Sequence, residues 1–238
     1  MAPLQLSVVI PVFNEKELIE PILRKVLASP VAEKEIIVVD DGSTDSTTRA
    51  LAALERTLPI RVLRHERNRG KGAAVRTGFE AAAGQILLIQ DADLEYNPSD
   101  YPAVIAPILR GEADAVMGSR FLLHKPKFFT EGGDPLVTHY FGNLVIIWLT
   151  NLLYGFRATD YEGCYKAFRR DVVQETPVVA DGFEFDNELI CKLLRRRRRI
   201  VEIPIHYMPR VYREGKKIRW HHGVRILWTI LKWRVLPF

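Results

Sequence analysis

An uncharged run, Ile86-Leu87-Leu88-Ile89-Gln90, ends abruptly in Asp91-Ala92-Asp93. A strand reads this way when both of its faces are covered, as in a parallel sheet packed between helices. Carboxylates are seldom buried unless paired, so Asp91 and Asp93 are expected just past the strand, at its carboxyl end. Ligands of open parallel sheets bind at that end. Two carboxylates this close repel each other unless a cation lies between them, and Mg²⁺ or Mn²⁺ holding a diphosphate suits hard oxygen ligands. The plainer alternative is that Asp91 caps the next helix and Asp93 is solvated.

The same grammar recurs along the chain. Strands are expected over 6–11, 35–41, 60–63, 85–90 and 113–117, and helices follow Glu15, Asp45, Gly72 and Asp100. Pro11 is expected to stop the first strand, because proline cannot donate to a ladder. Alternating strands and helices imply a mostly parallel, Rossmann-like α/β sheet with right-handed crossovers. After Ser119 the pattern changes. A loop-like stretch over 121–138 leads to a helix over 139–154, a strand over 163–168, a helix over 185–197 and a strand over 200–205. A basic loop over 209–217 and an amphipathic helix over 224–233 follow. The expectation is one domain, with a nucleotide-binding half over 1–120 and an acceptor-shaping half over 121–238.

Bulk properties narrow the function only mildly. With 34 Lys plus Arg against 29 Asp plus Glu, the formal net charge is +5, which favours a polyanionic ligand or an anionic membrane surface. The two cysteines, Cys164 and Cys191, form no CxxC or zinc pattern and are expected to be reduced thiols. Met1 to Gln5 carries no cationic region before an apolar core, so no leader is expected and the setting is cytosolic. No apolar stretch reaches the roughly 20 residues that span a bilayer.

Two familiar nucleotide sites fail on spacing. A dinucleotide fingerprint needs glycines directly after the first strand, where this chain has Pro11-Val12-Phe13-Asn14-Glu15. A P-loop needs GxxxxGK followed by Ser or Thr, and Gly70-Lys71-Gly72 is not that. What remains is carboxylates at the ends of strands one, two and four, so Glu15, Asp41, Asp91 and Asp93 should converge along one sheet edge. An acidic edge suits ribose hydroxyls, base amines and a metal. Lys71, Arg120, Arg210 and Lys216 are the basic groups available to meet phosphates. Nucleic-acid binding fits poorly, because the basic residues gather late in the chain, away from this acidic edge.

The ordered set Ile10-Pro11-Val12-Phe13-Asn14-Glu15, Asp40-Asp41-Gly42-Ser43-Thr44-Asp45, Asn68-Arg69-Gly70-Lys71-Gly72, Asp91-Ala92-Asp93 and Gly118-Ser119-Arg120 resembles the family 2 glycosyltransferases of the GT-A fold. Within them it looks most like dolichyl-phosphate mannose synthase and other polyprenyl-phosphate sugar transferases. Asp160-Tyr161-Glu162-Gly163-Cys164-Tyr165-Lys166 is similar to that subgroup's acidic-then-CYK segment, and Arg210-Val211-Tyr212-Arg213-Glu214-Gly215-Lys216 to its RVYGESK loop. The resemblance implies that Pro11, Phe13 and Glu15 hold base and ribose beside Val39 and Asp41. Phe13 stands where the family often has Tyr, which removes one hydroxyl and leaves stacking. It further implies that Asp91 and Asp93 flank metal and diphosphate with the Ala92 backbone alongside, and that Glu95 replaces a Gln near the metal. Arg120, Arg210 and Lys216 would neutralise phosphates of donor or acceptor.

The reaction expected is a metal-dependent, inverting transfer of a sugar, mannose or glucose first, from a nucleoside diphosphate sugar to a polyprenyl phosphate. A lipid phosphate is already an anion and needs no base; a hydroxyl acceptor needs one, with Asp160, Glu162, Glu184 and Asp186 the candidates. The rival outside enzymology is a silent nucleotide-sugar-binding module. Residues 144–154 and 225–233 carry Trp and Leu faces suited either to core packing or to a membrane interface, on the cytosolic side or against a separate anchoring subunit. The run Arg195 to Arg199 is expected to be a solvated helix end, with lipid headgroups as the alternative.

Overall fold

The computed structural model describes residues 4–122, 137–208 and 220–238. Seven strands form one sheet in the order β3-β2-β1-β4-β6-β5-β7. They are β1 (Leu6–Val12), β2 (Lys34–Asp40), β3 (Arg61–Arg64), β4 (Ile86–Ile89), β5 (Ala115–Ser119), β6 (Lys166–Arg169) and β7 (Ile200–Pro204). The helices are α1 (Ile19–Leu27), α2 (Thr47–Leu54), α3 (Lys71–Ala81), α4 (Tyr101–Leu109), α5 (Val137–Tyr154), α6 (Arg170–Gln174), α7 (Phe185–Arg195) and α8 (Trp220–Val235). A short 3₁₀ turn, Pro98–Asp100, leads into α4. The uncharged runs become the centre of the sheet: Val8, Val9, Ile10, Leu87, Leu88 and Ile89 have no accessible surface. Their burial on both faces is the main driving force for assembling this layer.

The parallel pattern holds for β1–β2, β1–β4, β2–β3 and β5–β7. β6 breaks it, running antiparallel to both β4 and β5, with Ala167 opposite Leu88 on one side and Val116 on the other. The reason lies in the path of the chain. β5 ends at the sheet's carboxyl edge, and the following excursion through α5 returns to that same edge instead of crossing back. The strand that follows can then run only the opposite way. Its first residue, Lys166, therefore lies at the same edge as the end of β4.

One local expectation is corrected. Pro11 does not stop β1, which runs on to Val12 with Pro11 opposite Val39. The Val9 carbonyl accepts from Gln90 beside β4, and the Val12 carbonyl from Asp41 beside β2. That alternation turns the Pro11 nitrogen toward β4, beyond the last β1–β4 pair at Val9 and Ile89, so no ladder bond is lost. The arginine run stands at the exposed end of α7, with Arg196, Arg197 and Arg199 exposed, and most of its side chains also make hydrogen bonds. Arg195 donates to the carbonyls of Trp233 and Leu236, Arg196 to Thr176 Oγ1, and Arg199 to the Gly111 carbonyl, while Arg198 pairs with Glu175. These side chains tie the end of α7 to α6, α8 and the turn before β5.

α7 is buried along most of its length, including the pair Glu188–Lys192, each 1% exposed. Glu188 accepts from the amides of Val179 and Ala180, and Lys192 donates to the Pro177 carbonyl under the ring of Trp233. α5 and α8 pack on each other: Tyr154 Oη donates to the Ile230 carbonyl and Arg234 Nε to the Leu153 carbonyl, both at 2.7 Å. Each buries one face, through Ile146 and Thr150 and through Ile226, Thr229, Ile230 and Trp233. Each also leaves an apolar stripe exposed, Phe141, Val145, Trp148 and Leu152 on α5 and Val224, Trp228, Leu231 and Val235 on α8. Among the described residues, no helix is long and apolar enough to cross a membrane.

Candidate functional site

The carboxyl edge is built from three loops braced against one another. Asn14, in the left-handed region at φ 53°, donates its amide to Ser43 Oγ, and its side-chain oxygen accepts from the Thr44 amide. The Glu15 amide donates to Thr47 Oγ1. The turn after β2 therefore fixes the loop after β1, leaving Phe13 and Glu15 half-buried beside Pro11 and buried Val39.

Asp41, expected beside base and ribose, is buried and engaged within the protein. Its Oδ1 accepts from the Arg69 amide at 2.9 Å and stands 2.6 Å from His65 Nδ1, while Oδ2 accepts from the Gly70 amide at 2.8 Å. It thereby fastens the glycine-bearing loop that precedes α3. Asp40 does similar work one residue earlier, accepting from the Ser43 amide and Thr48 Oγ1.

That loop carries Lys71 to Asp91. The Lys71 ammonium lies 2.8 Å from Asp91 Oδ1 and 3.1 Å from Oδ2, with side chains 17% and 24% exposed. Burial pushes the Asp91 carboxyl up, but the charge and hydrogen bond of Lys71 outweigh it and hold the group below the usual carboxylate range. Burial likewise opposes the Lys71 charge, yet Asp91 and then Asp186 overcome it and raise the amine above its ordinary value. Ala92 is buried, and the Asp91 amide donates to Cys164 Sγ at 3.1 Å. Asp93 is half-buried, and its Oδ1 accepts from the Glu95 amide in a tight turn through Leu94, at φ 62°.

The Glu95 carboxylate acts on the Tyr207 phenol, and its carbonyl accepts from the Met208 amide. Among the described residues, no three His, Cys, Asp or Glu side chains group so as to hold a metal by themselves. Asp91 and Asp93 alone supply hard oxygens one residue apart at a partly open edge. That donor set fits Mg²⁺ or Mn²⁺ whose remaining ligands come from a diphosphate or water.

Arg120 is brought to the same edge but is already matched. Its Nε and Nη2 donate to the two oxygens of Asp160 at 2.7 and 2.9 Å, and its plane lies near the rings of Phe121 and Tyr207. Asp160 is 1% exposed and also accepts from the amides of Arg120, Glu162 and Gly163. Arg210 and Lys216 lie outside the described residues.

A second charged layer comes from the later half of the chain. Lys166, 1% exposed, donates to the Gly163 carbonyl and stands 3.7 Å from Asp186 Oδ2. Asn187 Nδ2 donates to Glu162 Oε1 at 3.0 Å, and burial pushes the Glu162 carboxyl up despite Lys166. Glu184 Oε2, Asp186 Oδ1 and Asn187 Oδ1 are buried without a hydrogen-bond partner among the described residues. Such orphaned acceptors are costly and concentrate where a ligand completes the site. Sequence reasoning named the acids of this layer as candidate bases but missed Lys166, Asn187, Cys164 and His65. Lys166 and Cys164 could have been found, since both close the acidic-then-CYK segment; no local signal marks Asn187 or His65.

Comparison with known proteins agrees with this geometry. The family model described as glycosyl transferase family 2 matches residues 7–176. A dodecaprenyl-phosphate galacturonate synthase of Rhizobium johnstonii is 29% identical over 76% of this chain and 53% of its own length. A dolichol-phosphate mannosyltransferase of Pyrococcus furiosus is 28% identical over 97% of this chain and 64% of its own. The chain thus spans about half to two thirds of the length of these relatives. Among solved structures, glucosyl-3-phosphoglycerate synthase from Mycobacterium tuberculosis, in complex with Mn²⁺, UDP and phosphoglyceric acid, superposes with a TM-score of 0.71. That match is 22% identical and covers 98% of this chain and 80% of the other. The sheet is thus that of the GT-A fold, and the chain belongs to glycosyl transferase family 2.

Proposed function

We propose that this protein transfers one sugar, with inversion, from a nucleoside diphosphate sugar to a polyprenyl phosphate. The observation that carries the reading is the Asp91–Lys71 pair at the end of β4, a half-open carboxylate and cation beside a second carboxylate, Asp93. In this reading residues 1–120 bind the donor and residues 121–238 shape the acceptor side. Pro11, Phe13 and Glu15 face base and ribose, Asp41 keeps the loop of Lys71 in place, and Asp91 and Asp93 hold the divalent metal. A metal bound there supplies charge stabilisation to the leaving diphosphate. Lys71 adds a second cation, and Arg210 and Lys216 are assigned to phosphates by resemblance. Lys166 sets the field around Asp186 and Glu162. Two relatives named for lipid phosphates support a lipid acceptor. Such an acceptor is already an anion and attacks without a general base.

The exposed stripes of α5 and α8 suit the same reading. Neither helix contains an acidic residue, and α8 adds Arg225, Lys232 and Arg234. An apolar, tryptophan-bearing, cationic face matches an anionic membrane surface, here assigned to the cytosolic leaflet. A separate anchoring subunit is the rival occupant. Flotation of the purified chain with anionic vesicles supports the lipid assignment; failure to float refutes it.

One observation favours a second reading. The raised carboxyl of Glu162 is suited to a general base, as a hydroxyl acceptor requires, and the GT-A neighbour was crystallised with phosphoglyceric acid. The test is direct. GDP-mannose, UDP-glucose and UDP-N-acetylglucosamine, each labelled in the sugar, are offered with Mg²⁺ or Mn²⁺ to polyprenyl phosphate and to water-soluble acceptors, then extracted into organic solvent. Label in the organic phase supports the lipid acceptor; label confined to the aqueous phase refutes it.

A further inference from the structure

Lys71 combines a fixed backbone with a mobile arm. The Gly70 amide is held by Asp41 Oδ2, and the Gly72 amide by the Gly182 carbonyl at 3.1 Å. Gly70 adopts φ +103°, and a Cβ there would lie 2.3 Å from the Asp181 carbonyl oxygen; on Gly72 it would lie 2.6 Å from that of Ala180. The loop therefore packs backbone to backbone against the chain before α7, and its adjustable part is the flexible four-carbon stem of the lysine. At the end of that stem the ammonium straddles both oxygens of Asp91. Asp186 is a second anion acting on it, and its Oδ1 has no hydrogen-bond partner among the described residues.

An ammonium and a divalent ion repel, so both cannot sit close to one half-buried carboxylate at low cost. A metal and a sugar-linked diphosphate, by contrast, arrive together as a nearly neutral pair. The site can accept them by exchanging partners, with little change in its net charge. We infer that Lys71 is an exchangeable counter-ion, which holds Asp91 until metal and diphosphate bind, then yields Asp91 to the metal and takes the diphosphate, flanked by Asp186. This rests on the reading of Asp91 and Asp93 as metal carriers. Its consequence is energetic coupling. Metal alone displaces Lys71 and leaves it only Asp186, which already acts on it, whereas metal with diphosphate supplies the additional anion. Each ligand therefore strengthens the other through this one side chain.

The test measures Mn²⁺ binding by electron paramagnetic resonance, with and without UDP or GDP, in wild type, Lys71→Gln and Lys71→Arg. The readout is the factor by which the nucleotide tightens Mn²⁺ binding. In Lys71→Gln, Mn²⁺ alone is expected to bind about tenfold tighter and the coupling factor to fall about fivefold or more, on the scale of ordinary site-to-site coupling. Lys71→Arg grips a carboxylate with two parallel donors and is expected to weaken Mn²⁺ binding without nucleotide. Removal of a mere background charge would shift each affinity and leave the coupling factor unchanged; that result overturns the inference. If wild type binds no Mn²⁺ with UDP or with GDP, the metal reading of the site falls first and this inference with it.

Discussion

Two cation–aspartate pairs lie at one sheet edge and are built to opposite ends. Arg120–Asp160 is closed: a bidentate pair, the aspartate 1% exposed and accepting from three amides besides the guanidinium. Lys71–Asp91 is half-open, with a single ammonium across two oxygens and both side chains in contact with solvent. Arginine's fork suits a permanent geometry, and lysine's point charge on a flexible stem suits one that can be traded. The contrast separates a saturated pair from one still partly open, within a set of residues whose sequence signals are alike.

Asp160→Asn should break the closed pair most severely. It leaves a buried guanidinium uncompensated, and urea unfolding should show a loss of about 3–5 kcal/mol. A loss below about 1 kcal/mol, as for an exposed pair, would show that Asp160 is not scaffolding. Asp91→Asn should do the reverse, leaving stability within about 1 kcal/mol of wild type. Its turnover should fall roughly 100- to 1,000-fold, as when one charge-stabilising group is removed. Equal turnover in an initial-rate assay would remove Asp91 from the machinery.

Acid sharpens the comparison. The Asp160 carboxyl is held low: burial opposes this, but Arg120 and its hydrogen bonds outweigh burial. A carboxyl depressed in the folded state contributes stability that is present above its unfolded value, about 3.9, and is lost as pH falls through the folded value. The deficit of Asp160→Asn against wild type should therefore narrow as pH is lowered below about 4 in a series of urea titrations. A deficit independent of pH would mean that packing, not charge, is lost.

The smallest effect is expected at Glu162. With a lipid phosphate acceptor, Glu162→Gln should leave turnover near wild type. If a hydroxyl is the true acceptor, the same change should cost about 100-fold or more, through loss of a base. The rate profile would then rise with pH through the raised value of this carboxyl in wild type only.

Much of the frame was legible because it is written locally. Uncharged runs closing in acids at Asp41 and Asp91 identify central strands and the edge they share, and the spacing of Leu18, Ile22 and Val26 locates α1. What escaped depends on partners distant in sequence. Nothing near Asp160 says that Arg120, forty residues earlier, will saturate it. Nothing near Asp41 says that its oxygens will be taken by the amides of Arg69 and Gly70. The direction of β6 depends on the route of the chain after Ser119, which no periodicity encodes. The added hydrogen bonds of the arginine run escaped for the same reason, since its carbonyl partners lie on α8 and beside α4.

The reversed strand has one more consequence. β5 belongs to the first half by sequence, yet its ladder neighbours are β6 and β7, both from the second. A polypeptide cut after Arg120 would own a strand with nothing to pair with, and its complement would lack the centre of the sheet. The two parts are interleaved like the fingers of clasped hands, so neither can swing about a hinge. A hinge between residues 1–120 and 121–238 would have to break the ladders that β5 makes with β6 and β7.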